Sequence, residues 1–377
     1  MSNAWAEIDL VSLQHNIAFI RRCVGENVSI MAIVKADAYG HGATEVVRSL
    51  LENNISWFGV ANVSEGKRVR ALSADCNILI LGQLFTEHIA DIVSARLTPI
   101  VCDIDMARAL DDEAKASGII IPIHVKIDTG MGRVGVWHED VSEFMRDIKE
   151  LTHLRAEGFL SHFPCSDEDI EYSLSQIAVF KAVTSADRRP NETLLHMANS
   201  AAILTIPESY FDMVRPGIIM YGLYPSTEFK KKYDIQPVLS LKSKVSFIKK
   251  TGPGRTISYG KTHVVENATT IATIPLGYGD GYNRLLSNKG RVLIRGEYAP
   301  LVGRVTMDQI MVDVGHIPEV RVGDEVVLIG RQGDNEITVE EIARITGTIP
   351  YEVVCGISKR VERVYSSNQC ISQSELT

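Results

Sequence analysis

Between residues 30 and 222 the chain alternates short apolar runs with longer helical patterns, and that rhythm limits the folds open to it. The runs are IMAIV (30–34), WFGVA (57–61), ILIL (78–81), TPIVC (98–102), IPIHVKI (121–127), LRAEGFL (154–160), LLHM (194–197) and MVRPGIIMYG (213–222). Between them lie segments such as GATEVVRSLLENN and DVSEFMRDIKELTHL. In the second, Val141, Phe144, Ile148 and Leu151 fall at helical spacing. Strand-like runs joined by helical crossovers indicate a parallel sheet, and this number of them closes a barrel. An open doubly wound sheet is the competing architecture. It is disfavoured because no GxGxxG fingerprint follows the first run.

After about residue 230 the pattern changes. VLSLKSKVSFIKK, TTIATIPLGYGDGY, GRVLIRGEYAPLVGRVTMDQIMVDV and GDEVVLIGRQGDNEITV alternate at period two between glycine turns, which predicts antiparallel strands. A short helix, VEEIARITG, interrupts them. The expected chain is therefore α/β: a TIM-type (β/α)8 barrel over residues 9–230, then a mostly antiparallel β domain over 231–377. The N-terminal strand, 1–8, is expected to join the second domain. YPSTEFKKKYDIQP marks the boundary, and the polar tail SSNQCISQSELT is expected to fray.

Composition excludes several functions. A net charge of −8 argues against a nucleic-acid partner, which needs a basic face. No apolar run is long enough for a membrane span, and no signal peptide opens the chain. Ser2–Ala4 reads as an expression scar, which leaves open a start near Trp5 and a longer protein upstream. Cys23, Cys76, Cys102, Cys165, Cys355 and Cys370 are scattered without metal-ligand spacing, so reduced thiols in a cytoplasmic protein and no metal are expected.

The chemistry gathers at the ends of the runs. Lys35 follows the first, at the carboxyl end of a strand, where barrel enzymes keep their reactive groups. A strand-end lysine can simply reach out to water. Partly desolvated, it has a lowered pKa and can form a Schiff base with an aldehyde. HMANSAA places Asn199 and Ser200 at a helix start, as phosphate ligands or only as a cap. Arg215, Gly217 and Ile218 end the last run, where late barrel loops commonly bind phosphate; a structural arginine paired to a carboxylate is the other reading of Arg215. HVKIDTGMGRVGV crowds Lys126, Asp128 and Arg133 at one strand end, and His162 stands at the next. Tyr259, Tyr278, Met307 and Asp308 border turns of the second domain, and each alone reads as a packing or turn residue.

Together, VKADAYGHG, KIDTGMGRVGV, SHF, ANSAA, MVRPGIIMYGL, SYG, IPLGYGDGY, GRVTMDQ and PYEVVCGISKRV resemble the motifs of the alanine racemase family, in family order from Trp5 to about Tyr365. These are pyridoxal-phosphate enzymes that interconvert L- and D-alanine, supplying D-alanine for peptidoglycan. The resemblance implies that Lys35 bears the cofactor, and that Tyr39, Ser200, Gly217, Ile218 and Tyr351 hold its phosphate, with Asn199 beside them. Arg215 would face the pyridine nitrogen, with His162 and His196 supporting it. Arg133 would bond the cofactor's phenolic oxygen and seat the substrate carboxylate. Lys126 matches a lysine that many members carry carbamylated. Lys35 and Tyr259 would be the two bases, for the D and L faces. Tyr259, Met307 and Asp308 would arrive from the partner of a head-to-tail homodimer. Asp167, Tyr278, Arg284, Arg304 and Ile349 would line the access corridor. The rivals are a serine or broad-specificity racemase, including the catalytic part of a membrane-anchored protein, a cofactor-binding protein without racemase activity, and a decarboxylase of the same fold. The β domain argues against the second, and no motif supplies the third.

Overall fold

In the computed structural model, which describes residues 3–189, 192–226, 229 and 232–366, the apolar runs form one parallel sheet. Its main strands are Ser29–Ile33, Trp57–Val60, Asn77–Ile80, Thr98–Val101, Ile121–Asp128, Leu154–Leu160, Leu194–His196 and Met213–Val214, with the short Val136–Trp137 added on Ile121–Asp128. They lie side by side in chain order, and the last pairs back onto the first. Between Leu194–His196 and Met213–Val214 the ring is completed by two backbone bonds, Asp212 N to Leu195 O (3.0 Å) and Arg215 N to Ala198 O (2.9 Å). The sheet is a nearly closed (β/α)8 barrel, as the alternation predicts.

The crossover helices form where the apolar spacing places them. Val141–Glu150 buries Val141, Phe144, Met145 and Ile148 on one stripe. Asn62, Asp103 and Asp169 cap their helices by accepting from the amides of Glu65, Met106 and Tyr172. Two features depart from the sequence pattern. Helix Leu10–Val24 precedes the first barrel strand, capped by Asp9. The run at 213–222 yields only a two-residue strand, because Pro216 has no N–H to donate and Ile218–Tyr221 coils into a 3-10 turn.

The segment after the first strand is unusual. Ala36, Asp37, Ala38 and Tyr39 all have φ between 52° and 55°, a left-handed turn built without glycine. Such backbone costs roughly 1–2 kcal/mol per residue, so its surroundings must hold it. Glu65 does so from outside, accepting from Ala36 N (2.9 Å) and Ala61 N (2.8 Å). His41 does so from inside: its Nδ1 lies 3.0 Å from Ala38 O and 2.9 Å from Tyr39 O, so it must donate. The His41 ring stacks on Tyr221 at 4.4 Å, and the Tyr221 hydroxyl donates to Ile33 O (3.0 Å). This turn aims Lys35 and Tyr39 at the barrel mouth.

The remaining strands make three further sheets. The largest runs Glu297–Pro300, Arg291–Ile294, Glu325–Gln332, Leu239–Lys244, Ala4–Asp9 and Glu362–Ser366, with Asn335–Ile337 on Glu325–Gln332. Its pairs are antiparallel except Ala4–Asp9 with Glu362–Ser366. Phe247–Thr251, Thr269–Ile274 and Ile310–Asp313 form a second antiparallel sheet, and Thr256–Ile257 pairs with His263–Val264. Helix Val339–Thr346 interrupts the strands where VEEIARITG predicts it. The expected boundary at 230/231, Ser2, Cys370 and the tail from 367 onward lie outside the described residues.

Candidate active site

A cavity of about 610 Å³ opens at the carboxyl ends of the barrel strands. Lys35, Tyr39, Lys126, Arg133, His162 and Arg215 reach it from four different strand ends, and Asn199, Ser200, Gly217 and Ile218 complete its floor. Tyr351, Ile349 and Asp167 also line it. The Tyr39 and Tyr351 rings lie 6.0 Å apart.

Burial, then the Arg133 guanidinium, lowers the pKa of Lys35 from the ordinary lysine value. A larger share of its amine is therefore neutral and nucleophilic. Arg215 is 5 % exposed, and among the described residues its guanidinium bonds to carbonyls and imidazoles rather than to a carboxylate. Its Nη1 donates to His196 O (2.7 Å) and meets His196 Nδ1 at 2.8 Å. Its Nη2 donates to Ser161 O (2.6 Å) and Met197 O (2.9 Å), and meets His162 Nδ1 at 3.4 Å. All these bonds use the terminal nitrogens, which leaves Nε–H for a group in the cavity. Burial lowers the guanidinium to about 9, so it stays charged at neutral pH. Burial and then Arg215 push His162 and His196 well below the ordinary histidine range, so both are neutral there.

The glycine-rich loop after Ile121–Asp128 is tied by one side chain. Asp128 accepts from the amides of Gly130 (2.8 Å), Met131 (2.9 Å), Gly132 (2.9 Å) and Arg133 (3.2 Å). Burial alone would raise this carboxyl, but the Gly130 and Gly132 amides and the Lys126 ammonium hold it below its ordinary value. The loop so fixed presents Arg133. Lys126 is 7 % exposed, and its Nζ donates only to Ile127 O (3.3 Å). Burial, then Arg215, lowers it to about 7.

The floor can hold a phosphate. Ser200 Oγ accepts from Gly217 N (2.9 Å), and a Cβ on Gly217 would stand 2.6 Å from the Tyr39 hydroxyl. A side chain there would fill the space in which two hydroxyls and a backbone amide converge. With a lysine of lowered pKa and a guanidinium N–H across the same cavity, the residues fit pyridoxal phosphate. Asn199 is engaged differently: its Oδ1 caps helix Ser200–Thr205 through Ala202 N (3.0 Å) and accepts from Ser166 Oγ (2.9 Å). Among the described residues no group of three or more His, Cys, Asp and Glu side chains is placed to hold a metal ion.

Tyr259, Tyr278, Arg284, Arg304, Met307 and Asp308 do not line this cavity within the chain. Tyr259 is 72 % exposed, Met307 52 % and Tyr278 43 %. Their loops are bonded to one another: Tyr278 N donates to Thr306 O (3.0 Å), Gly279 N to Met307 O (2.9 Å), and Ser258 Oγ to Arg304 O (2.7 Å). Asp308 pairs with Arg360 at 2.8 Å. Arg284 shares a separate cavity of about 310 Å³ with Tyr278.

Sequence reasoning passed over Glu65, His124 and Cys355. Cys355 lines the cavity beside Lys35, its thiol raised by burial. His124 carried a readable signal, because residues 124, 126 and 128 of a strand share one face. Glu65 carried none, since only the folded turn brings it to Ala36.

Comparison with known proteins agrees with this geometry. The family descriptions alanine racemase, N-terminal domain, and alanine racemase, C-terminal domain, match residues 8–225 and 238–365. Alanine racemase 1 of Clostridium acetobutylicum is 44 % identical over 370 residues, covering 97 % of this chain and 95 % of that protein. The alanine racemase of Desulforamulus reducens is 46 % identical over 367 residues, covering 96 % and 98 %. The solved alanine racemase of Clostridium difficile 630 superposes with a TM-score of 0.92 at 39 % identity, covering 98 % of this chain and 97 % of that one. With both halves matched and nearly the whole length aligned, the chain belongs to the alanine racemase family.

Proposed function

We propose that this protein interconverts L-alanine and D-alanine, as a pyridoxal-phosphate-dependent homodimer that supplies D-alanine for peptidoglycan. The observation that carries this reading is the convergence of Lys35, Tyr39, Ser200 and Arg215 on one cavity at the barrel mouth. The bound cofactor withdraws electrons and so makes the α proton of the substrate acidic.

The chain's own residues do the rest. Lys35 would bear the cofactor and would exchange the α proton on the D face. Tyr39, Ser200, Gly217, Ile218 and Tyr351 hold the phosphate, with Asn199 fixing the helix start beneath it. Arg215 donates Nε–H to the pyridine nitrogen. A guanidinium only donates, so that nitrogen stays unprotonated, which favours fast return of the proton over transamination. His162 and His196 steady Arg215. Arg133 bonds the phenolic oxygen and seats the substrate carboxylate.

Tyr259 exchanges the α proton on the L face, and comes from the partner subunit together with Met307 and Asp308. Their exposure, and their absence from the lining of their own chain's cavity, support this assignment. Asp167 and Ile349 of one subunit would meet Tyr278, Arg284 and Arg304 of the other in the access corridor. We set the first domain at 9–230, which supplies most of the cavity lining, and the second at 231–377, which adds Ile349, Tyr351 and Cys355 to it and carries these partner residues. The pairing of Ala4–Asp9 with Leu239–Lys244 and Glu362–Ser366 supports counting strand 1–8 with the second. Among the described residues no helix is long and apolar enough to cross a membrane. The free thiols Cys23, Cys76, Cys102, Cys165 and Cys355 suit a reducing compartment, the cytoplasm.

Relatives named alanine racemase favour alanine over the serine or broad-specificity alternative. The test is racemisation of L-alanine, L-serine and L-lysine side by side. We expect the highest kcat/KM for alanine; a higher value for serine or lysine would overturn the substrate assignment.

Lys126 is assigned as a carbamylated lysine. A buried amine near pH 7 is unprotonated enough to add carbon dioxide, and the carbamate would place an anion beside Arg133 and Arg215. The sign follows from the lowered value: the reactive neutral form grows as pH rises through about 7 and is lost below it. A carbamate carbon should appear in the 13C spectrum of enzyme kept in labelled bicarbonate at alkaline pH. It should disappear in Lys126→Ala. An unchanged spectrum in that variant would refute the assignment.

A further inference from the structure

Arg215 does not end its hydrogen-bond chain at His196. His196 Nε2 lies 2.8 Å from His124 Nδ1, and His124 Nε2 faces Glu157 Oε2 at 3.8 Å. Both imidazoles are fully buried. Four neighbouring barrel strands thus contribute one line of polar groups, from a guanidinium inside the site to a carboxylate outside it.

The backbone is shaped for this line. His124 is paired in register with Gly158, and a Cβ on Gly158 would stand 2.7 Å from the His124 ring. The ring therefore crosses strand Leu154–Leu160 through a gap that only glycine leaves. Ile123 pairs with Ala156 while His124 pairs with Gly158, so the register shifts at Glu157. Glu157 is the extra residue of a β-bulge, a device that re-aims one side chain. Here it turns the carboxylate toward His124. The second oxygen of Glu157 accepts from Arg155 at 3.1 Å at the surface.

We infer that Glu157 is a positioning residue for Arg215, acting through His124 and His196 by setting the tautomer of both rings. A guanidinium can only donate, so His196 Nδ1 must be the bare nitrogen and His196 Nε2 carries the proton. That proton points at His124 Nδ1, which must then be bare. His124 Nε2 then carries the second proton; at 3.8 Å it makes no hydrogen bond to Glu157, but the nearby carboxylate, which can only accept, favours a proton there. Each link has one allowed direction, and both ends fix the same one. Without the carboxylate nothing would favour the proton on Nε2, a buried atom that makes no hydrogen bond among the described residues. Arg215 alone would then hold the tautomer, and a population with both protons on Nδ1, in which His196 presents an N–H to that of Arg215, would appear. The His124 ring and then Arg155 hold the Glu157 carboxyl below its ordinary value, and burial keeps His124 neutral, as this arrangement requires.

This inference rests on Arg215 being the donor to the cofactor, but its first test does not. The full-length, cofactor-loaded enzyme is labelled with 15N-histidine, and imidazole 15N shifts, assigned by single substitutions, report which nitrogen holds the proton. His124 and His196 should both be protonated at Nε2. In Glu157→Leu an Nδ1-protonated population should appear beside the Nε2 form, and kcat should fall severalfold with a smaller change in KM. Glu157→Gln keeps an acceptor in place and should restore the Nε2 pattern and most of the rate. The inference is overturned if His196 of the unmutated enzyme is protonated at Nδ1, or if Glu157→Leu leaves both tautomers unchanged. It is also overturned if Glu157→Gln behaves as Glu157→Leu does. An enzyme with the expected tautomers but no alanine racemisation would refute the proposed function and leave the relay standing.

Discussion

Tyr259→Phe is expected to stop racemisation in both directions while D-alanine continues to exchange its α proton with solvent. The two enantiomers have equal free energy, so the equilibrium constant is one. Loss of either base must then lower kcat/KM equally from both sides, and initial rates alone cannot show which base was lost. Phenylalanine keeps the ring and removes the only proton acceptor of the side chain. A missing general base costs on the order of 10²–10⁴-fold. Lys35 remains, so in heavy water deuterium should enter D-alanine by removal and return on one face. L-alanine should stay unlabelled, and the visible absorbance of the bound cofactor should persist. Equal labelling of both enantiomers, or retained racemisation, would show that Tyr259 is not the base for the L face.

Mixing two inactive variants should restore activity. Lys35→Ala lacks one base, and Tyr259→Phe lacks the other. If each site takes Lys35 from one subunit and Tyr259 from its partner, a mixed dimer has one intact site and one doubly defective site. Random re-pairing of equal amounts makes half the dimers mixed, so about a quarter of the normal activity should return. The structural ground is the separation within one chain: Lys35 lines the barrel cavity, while Tyr259 is 72 % exposed and does not. Mixed dimers demonstrated by mass but without activity would sink the composite site. Activity of a proven wild-type monomer would do the same.

The barrel was legible because its signal is local. LRAEGFL forms a strand with the bounds the run predicts, Leu154–Leu160, and the stripe through Val141, Phe144 and Ile148 is buried as its spacing requires. Side-chain alternation and helical spacing are properties of neighbouring residues, so they survive without knowledge of the fold. MVRPGIIMYG was less legible, since its apolar character hid a proline and a 3-10 turn that end the strand early. The left-handed turn at Ala36–Tyr39 was not legible at all. Alanine and aspartate have no preference for it, and it exists because Glu65 and His41 bond it from two sides.

The sequence by itself determined the kinds of chemistry available: an amine at a strand end, a guanidinium at another, hydroxyls and glycines at a helix start, and tyrosines on a second domain. The motif order also determined the family. Only the tertiary structure decided which of these groups meet. Closing the ring between Leu194–His196 and Met213–Val214 brings Arg215 beside Ser161 and His196, and pairing Met213–Val214 with Ser29–Ile33 brings its strand beside the one that ends at Lys35. The same closure buries Lys35, Lys126 and Arg215 together, and so lowers all three pKa values. A pKa shift or a tautomer depends on what surrounds a group in space, and groups far apart in the chain become neighbours only when the sheet closes.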